Sequence, residues 1–238
     1  MEATNLFYRD PALYDVVQSD SAGAETCQAL IERHQPDATT LVDFGCGTGR
    51  DLDILAKRFE CIGVDLQPGM VDHARRERPG LDIRTGDMRI VRLGKRADAV
   101  TCLGNSLAYI HDNDEISQVF DTFSAHTRPG AVLVLCSPVS PIVRAEPSTA
   151  AIATPHGTAR VTISYAWDLR TQINTMQRRW VLPSGDEAQD TIRRRVLFPR
   201  ELECYASGAG FEVVDMVDES GTELTGPIAY TAARYTGG

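Results

Sequence analysis

Short apolar runs alternate with segments whose apolar residues recur at helical spacing through the first half of the chain. This alternation predicts βαβ units and therefore a parallel sheet. The fifth apolar run is unbroken, which is typical of a strand covered on both faces. The predicted strands are 40–44, 61–65, 82–85, 99–103 and 131–136, and the helices between them are 50–58, 68–78 and one that begins at Asp112 or Asn113.

Two helices are predicted before the first strand. Asp10 followed by Pro11 has the pattern of an N-cap with proline at the first helical position, and it predicts a helix through Val17. A second helix is predicted over 22–34, where Leu30 and Ile31 face inward.

The pattern changes after Ser137. A segment rich in Pro, Ser and Ala is followed by residues that alternate in polarity with a period of two, which indicates antiparallel strands. The predicted fold is α/β: a doubly wound, Rossmann-like seven-stranded sheet with an antiparallel β insert toward the C-terminus. The predicted segments are 1–40 (helices), 41–157 (core), 158–198 (insert) and 199–238 (closing helix and strands).

Composition and charge narrow the class of protein. A hydrophobic fraction of 42% and a charged fraction of 24% are typical of a folded globular domain. The formal charge of -9 disfavours nucleic acid and anionic membranes as partners. The N-terminus has no signal-peptide pattern, so a cytoplasmic location is expected. The six cysteines lack paired metal-ligand spacing, so no metal site is predicted.

A glycine-rich loop follows the first strand, where α/β sheets bind ligands. Asp43 ends the strand, and Gly45, Gly47 and Gly49 follow at intervals of two. A dinucleotide fingerprint requires its third glycine three residues after the second, and Arg50 occupies that position here. The spacing therefore predicts a nucleotide-like cofactor without a pyrophosphate.

Acidic residues end the next two strands. Asp65 lies twenty residues after Gly45, the spacing at which a carboxylate accepts hydrogen bonds from ribose hydroxyls. Leu66 is placed to pack on an adenine ring. Asp87 and Met88, after the third strand, are placed to offer a carboxylate to the exocyclic amine and an apolar contact.

Over roughly 41–136, the chain resembles the class I S-adenosylmethionine (SAM)-dependent methyltransferases. The resemblance is carried by four segments in order: DFGCGTG, CIGVD, TGDM and ADAVTCLGNSLAYI. A narrower resemblance is to amino-sugar N,N-dimethyltransferases and other small-molecule methyltransferases of natural-product biosynthesis. It is carried by the segments LYDVV and NSLAYI and by the late insert. The resemblance implies SAM as the cofactor and N-terminal helices that cap the active site. It implies cofactor contacts by Tyr14, Asp43, Gly45, Gly47, Asp65, Leu66, Asp87, Met88 and Leu103.

The resemblance also implies where catalysis occurs. Tyr109 aligns with a position near the substrate and is the predicted positioner or proton acceptor, while His111 is a candidate base. Tyr14 is predicted to close the amino acid end of the cofactor. Gly226-Pro227-Ile228 stands where the amino-sugar enzymes carry an arginine that contacts the nucleotide diphosphate, which predicts a different acceptor.

The predicted activity is methyl transfer from SAM to nitrogen or oxygen of a small-molecule acceptor in specialised metabolism. Two alternatives remain: a nicotinamide oxidoreductase, which the sheet and Asp65 fit but the glycine spacing does not, and a non-catalytic SAM-binding regulator. The insert is expected to serve as a lid over the site or as the contact between two copies of the chain in a homodimer.

Overall fold

Two β-sheets organise residues 5–237, which are the residues described by the computed structural model. The predicted segment ends at residues 1 and 238 lie outside them. The strands are β1 (Thr40–Phe44), β2 (Glu60–Asp65), β3 (Asp82–Thr85), β4 (Ala97–Cys102), β5 (Thr127–Pro138), β6 (Ser148–Thr154), β7 (Gly157–Asp168), β8 (Ile173–Val181), β9 (Glu187–Arg195), β10 (Phe211–Val217) and β11 (Ile228–Tyr235).

The helices follow the predicted start signals closely. The Asp10 side chain accepts a hydrogen bond from the N–H of Leu13 and so caps the helix that begins at Pro11. The helices are α1 (Leu6–Arg9), α2 (Pro11–Val17), α3 (Ala22–His34), α4 (Arg50–Leu55), α5 (Pro68–Glu77), α6 (Asn113–His126) and α7 (Pro199–Gly208), with a short 3-10 helix at Ser106–Tyr109.

The larger sheet has seven strands in the order β10-β11-β5-β4-β1-β2-β3. Strands β1 to β5 are parallel, while β11 pairs antiparallel with both β5 and β10. The strand order reverses between β1 and β4, which places a ligand crevice outside their carboxyl ends. The predicted fold class is confirmed.

Helices cover both faces of this sheet. Val42 and Phe44 of β1 pack with the apolar residues of α6 and α7. Leu41, the residue before Val42, lies on the opposite face of the sheet and packs with α3, α4 and α5. Burial on both sides explains why β5 is apolar throughout its centre.

The second sheet is antiparallel, in the order β6-β7-β8-β9. One face packs against the N-terminal helices, where Phe7 and Leu13 meet Val161 and Trp180. An ion pair between Arg178 and Asp190 lies within this contact, and both side chains are almost completely buried. The sheet therefore holds the N-terminal segment over the carboxyl edge of the larger sheet.

The largest differences between the predicted and the observed boundaries are in three places. The second sheet begins at Ser148, ten residues before the predicted insert, because residues 148–154 of the Pro-, Ser- and Ala-rich segment pair with β7. The strand predicted at 131–136 begins at Thr127, and within its added residues Gly130 has a φ of 81° and the pairing with β4 shifts. The predicted helix 50–58 ends at Leu55.

Within residues 5–237, no helix combines the length and the hydropathy that a membrane span requires.

Candidate active site

The glycine loop after β1 has a backbone that only glycine adopts without strain. Gly45 and Gly47 have φ values of 78° and 56°. A methyl group at Gly45 would lie 2.5 Å from Cβ of Ser106 and 3.3 Å from Cε of Met88. The Ser106 hydroxyl donates a hydrogen bond of 3.1 Å to the Gly45 carbonyl. The loop and the start of the short 3-10 helix thus meet with no room for a side chain.

Asp65, at the end of β2, is fixed by two backbone N–H groups. Oδ2 accepts from Gly47 and Oδ1 accepts from Gln67, both at 2.8 Å. Burial raises the pKa of Asp65, and these two hydrogen bonds oppose that rise. Each carboxylate oxygen keeps a lone pair, so the group can still accept hydrogen bonds from a ligand hydroxyl.

Leu66 and Met88 supply apolar surface beside Asp65. Leu66 is 52% exposed although it follows a buried strand. Such an exposed apolar side chain on a cavity wall suits contact with a flat ring. Met88 is half-buried and packs on the core below the cavity.

Asp87 is already paired. Its carboxylate accepts hydrogen bonds from the Arg89 guanidinium, at 2.6 Å and 3.0 Å, and this hydrogen bonding lowers the pKa of Asp87. Arg89 also pairs with Glu115 at the start of α6. The predicted carboxylate is thus held at the cavity by an arginine that the sequence prediction had not included.

These residues border one cavity of about 290 Å³ at the carboxyl edge of the parallel strands. It contains the predicted Gly45, Asp65, Leu66, Asp87, Met88 and Tyr109. A larger concavity of about 540 Å³ lies on the second sheet, but its lining has no residue of the glycine loop and none of the acidic strand ends. We therefore assign the candidate site to the smaller cavity. Its other lining residues are Tyr8, Gln67, Gly86, Arg89, Ser106, Ile110 and Glu115.

Tyr109 lies on the wall of this cavity at the end of the short 3-10 helix. Its hydroxyl oxygen accepts a hydrogen bond of 3.3 Å from the side-chain amide of Asn5. The ring of Tyr8 lies 6.0 Å from the ring of Tyr109, measured between centroids. Burial, and next the Tyr109 hydroxyl, raise the pKa of Tyr8 above its usual range, so Tyr8 contributes a neutral hydroxyl.

Three predicted cofactor residues lie beside or below the cavity. Tyr14 lies near the carboxyl end of β4. Its hydroxyl would be 3.7 Å from a methyl group built on Gly104. Burial raises the pKa of Tyr14. Leu103 is buried in the core. Gly47 contacts the site through the N–H that it donates to Asp65.

Asp43 lies beneath the loop. It is 2% exposed, and Oδ1 accepts a hydrogen bond of 2.7 Å from the Thr101 hydroxyl. Burial raises the pKa of Asp43 to about 7, although the hydrogen bond from Thr101 opposes the rise. Asp43 thus joins β1 to β4 in the core beneath the loop.

His111 is not in the lining of the cavity. Its Nε2 lies 3.1 Å from the carbonyl oxygen of Arg193, on β9. A ring that bonds this carbonyl joins the second sheet to the segment before α6. The structure therefore does not bring the predicted base together with Tyr109 on the cavity wall.

Tyr8 and Asn5 were missed by the sequence prediction. Both lie in the first ten residues, and they reach Tyr109 across about a hundred positions of the chain. The available signal was local: Asn5 caps α1 by accepting a hydrogen bond from the N–H of Phe7. Nothing in that pattern indicates which part of the chain the helix contacts.

Residues 41–130 match a family model described as a methyltransferase domain. A dTDP-3-amino-3,6-dideoxy-α-D-glucopyranose N,N-dimethyltransferase from Streptomyces fradiae is 36% identical over 129 residues, which cover 52% of this chain and 51% of that protein. A dTDP-3-amino-3,4,6-trideoxy-α-D-glucopyranose N,N-dimethyltransferase from Streptomyces venezuelae is 34% identical over 48% of this chain and 49% of that protein. The matched region thus spans about half the length of these relatives.

Solved structures match over nearly the whole chain. The SAM-bound amino pentose methyltransferase CalS10 from Micromonospora echinaspora is 28% identical, with a TM-score of 0.79 over 91% of this chain and 93% of that protein. The methyltransferase CcbJ from Streptomyces caelestis, 18% identical with a TM-score of 0.80 over 99% of this chain and 100% of that protein, has the same fold. The predicted resemblance to SAM-dependent methyltransferases of natural-product biosynthesis is confirmed. The oxidoreductase and regulatory alternatives find no support in these matches.

Proposed function

We propose that this protein transfers a methyl group from SAM to nitrogen or oxygen of a small-molecule acceptor in specialised metabolism. One observation carries the proposal: a single cavity joins Gly45, Asp65 and Met88, which suit a nucleoside, to Tyr109, which suits an acceptor. The methyltransferase domain match over 41–130 supports it.

The residues present fit an adenosyl group. Gly45 and Gly47 carry no side chain, so the backbone of the loop can contact a ligand closely. Asp65 offers the free lone pairs that ribose hydroxyls need, and Leu66 offers exposed apolar surface. When bound, SAM supplies a methyl group that is already activated by a sulfonium sulfur.

Positioning is the main task left to the protein, because an activated methyl group requires an acceptor lone pair in line and roughly 3 to 3.5 Å away. The Tyr109 oxygen accepts one hydrogen bond from Asn5 and retains a second lone pair. That lone pair can accept a hydrogen bond from an N–H or O–H of the acceptor and so fix its orientation. The ring of Tyr8, 6.0 Å from that of Tyr109 between centroids, narrows the cavity beside it.

The acceptor is proposed to differ from a dTDP-amino sugar. The curated relatives act on such sugars, but this chain carries Gly226-Pro227-Ile228 where the resemblance places a diphosphate-binding arginine. We propose further that the protein acts in the cytoplasm and that the second sheet serves as a lid or as a contact in a homodimer.

Labelled methyl transfer tests the proposal. The protein is incubated with methyl-labelled SAM and metabolite extracts of its source organism, and the extract is fractionated for labelled small molecules. The expected result is a labelled product that depends on intact protein and is lost in Gly45→Val. No labelled product from any extract, despite SAM binding, would favour the non-catalytic alternative.

A further inference from the structure

Arg194 points inward from the edge strand of the second sheet. It pairs in register with Asn174 of β8 and lies two residues from Ile192 and four from Asp190, which are both buried. Side chains two apart lie on one face of a strand, so Arg194 shares their inward face. Arg193 lies on the opposite face and is exposed.

The Arg194 guanidinium has no ionic partner within residues 5–237. Its Nε is buried without a hydrogen-bond partner. The inward Arg178 pairs with Asp190, and the adjacent Arg195 pairs with Glu201. A partly buried guanidinium without a carboxylate is unusual, because desolvation of the charge is costly unless a partner compensates it.

Arg194 lies next to the cavity. Its guanidinium carbon is 5.8 Å from the ring centroid of Tyr109, which forms part of the cavity wall. Its positive charge also opposes the burial-driven rise in the pKa of Tyr8, which lines the same cavity. The guanidinium therefore lies near the end of the cavity where Tyr8 and Tyr109 meet.

The acidic groups of the cavity already have partners. Asp65 accepts from the N–H groups of Gly47 and Gln67, and Asp87 pairs with Arg89. Glu115 pairs with Arg89 as well. The positive charge of Arg194 is thus available to bind an anionic group of a ligand.

We propose that Arg194 binds an anionic group of the methyl acceptor, a carboxylate or a phosphate. A guanidinium matches either group with two parallel hydrogen bonds. The inference rests on the proposed function, since it names the chemistry of the acceptor for the same site.

The test separates the two claims. Calorimetry first measures binding of S-adenosylhomocysteine (SAH), the demethylated product of SAM, to the wild type, to Arg194→Gln and to Arg193→Gln. The SAH-loaded proteins are then titrated with inorganic phosphate and with succinate. Arg193→Gln is the matched control, because it removes the same charge from the adjacent, outward-facing position.

The expected result is equal SAH affinity in all three proteins. One of the two anions is expected to bind the SAH-loaded wild type and Arg193→Gln with a Kd in the millimolar range. Its affinity for Arg194→Gln is expected to be lower by roughly tenfold or more. The anion that binds distinguishes a phosphate acceptor from a carboxylate acceptor.

Three outcomes overturn the inference: no anion binding to the loaded wild type, equal anion binding to all three proteins, or a roughly tenfold loss of SAH affinity in Arg194→Gln alone. The last would assign Arg194 to the carboxylate of the cofactor. Failure of the wild type to bind SAH would instead overturn the proposed function.

Discussion

The N–H of Gly47 donates a hydrogen bond of 2.8 Å to Oδ2 of Asp65. One carboxylate thus holds the glycine loop in place and presents its remaining lone pairs to the cavity. The loop and the acidic residue, which lie eighteen positions apart in sequence, form one binding element.

Replacement of Asp65 by alanine removes both functions at once. We expect SAH affinity to fall by roughly tenfold to a hundredfold, because each hydrogen bond to a charged group contributes about 1.5–3 kcal/mol. Calorimetry measures the change. The control is Asp82→Ala at the start of β3, an exposed carboxylate paired with Arg84. Equal affinities in Asp65→Ala and the control would show that Asp65 does not contact the cofactor.

Replacement of Tyr109 by phenylalanine keeps the ring and removes the hydroxyl that would orient the acceptor. We expect the rate of labelled methyl transfer to fall by about tenfold to a hundredfold, at or below the usual range for a group that positions or accepts a proton. SAH affinity should be unchanged. His111→Gln serves as the comparison, because His111 contacts the Arg193 carbonyl instead of the cavity. A larger loss of rate in His111→Gln than in Tyr109→Phe would reverse the roles.

The buried ion pair of Arg178 with Asp190 is expected to contribute strongly to the free energy of unfolding. Asp190 also accepts a hydrogen bond of 2.8 Å from the N–H of Leu6, so the pair anchors the N-terminal segment. Arg178→Met would leave a buried carboxylate unpaired, and we expect the free energy of unfolding to fall by about 3–5 kcal/mol.

The matched control for that measurement is Arg179→Met, the next residue along β8. Arg179 is exposed and pairs with the exposed Glu187, so its loss should cost about 1 kcal/mol or less. Urea denaturation of the two variants and the wild type gives the comparison. Similar losses in both variants would contradict the assigned role of the buried pair.

Asp43 predicts a pH dependence of stability. Because burial raises its pKa in the folded protein from the usual 3.8 to about 7, the folded state binds more protons than the unfolded state between these values. The stability of the wild type relative to Asp43→Asn should therefore fall as pH rises from about 4 to about 7, by up to about 1.4 kcal/mol per pH unit. Denaturation curves at several pH values measure the difference. Parallel stability profiles would place the folded pKa of Asp43 near its usual value.

Local signals explain which elements could be predicted from the sequence. The helix at Pro11–Val17 was predicted because Asp10 and Pro11 form a start signal that needs no distant partner. The strand Asp82–Thr85 likewise matched its prediction. Strand β6 was missed because its Ser and Ala residues have weak strand preference, and its structure depends on pairing with β7.

The residues of the site also fall into those with a local sequence signal and those without one. Gly45 and Asp65 were predicted because their spacing reflects adjacent parallel strands. Asn5, Tyr8 and Arg194 could not be predicted, because they reach Tyr109 from the N-terminal segment and from the second sheet. Sequence spacing carries no information on how those elements are oriented over the larger sheet.

A calorimetric titration of the wild-type protein with SAH, with NAD as the comparison ligand, tests the central claim most directly. The proposed site predicts that SAH binds in the micromolar range at about one molecule per chain and that NAD produces no heat of binding. Absence of SAH binding at micromolar concentration, or tighter binding of NAD, would contradict the assignment of this cavity to SAM.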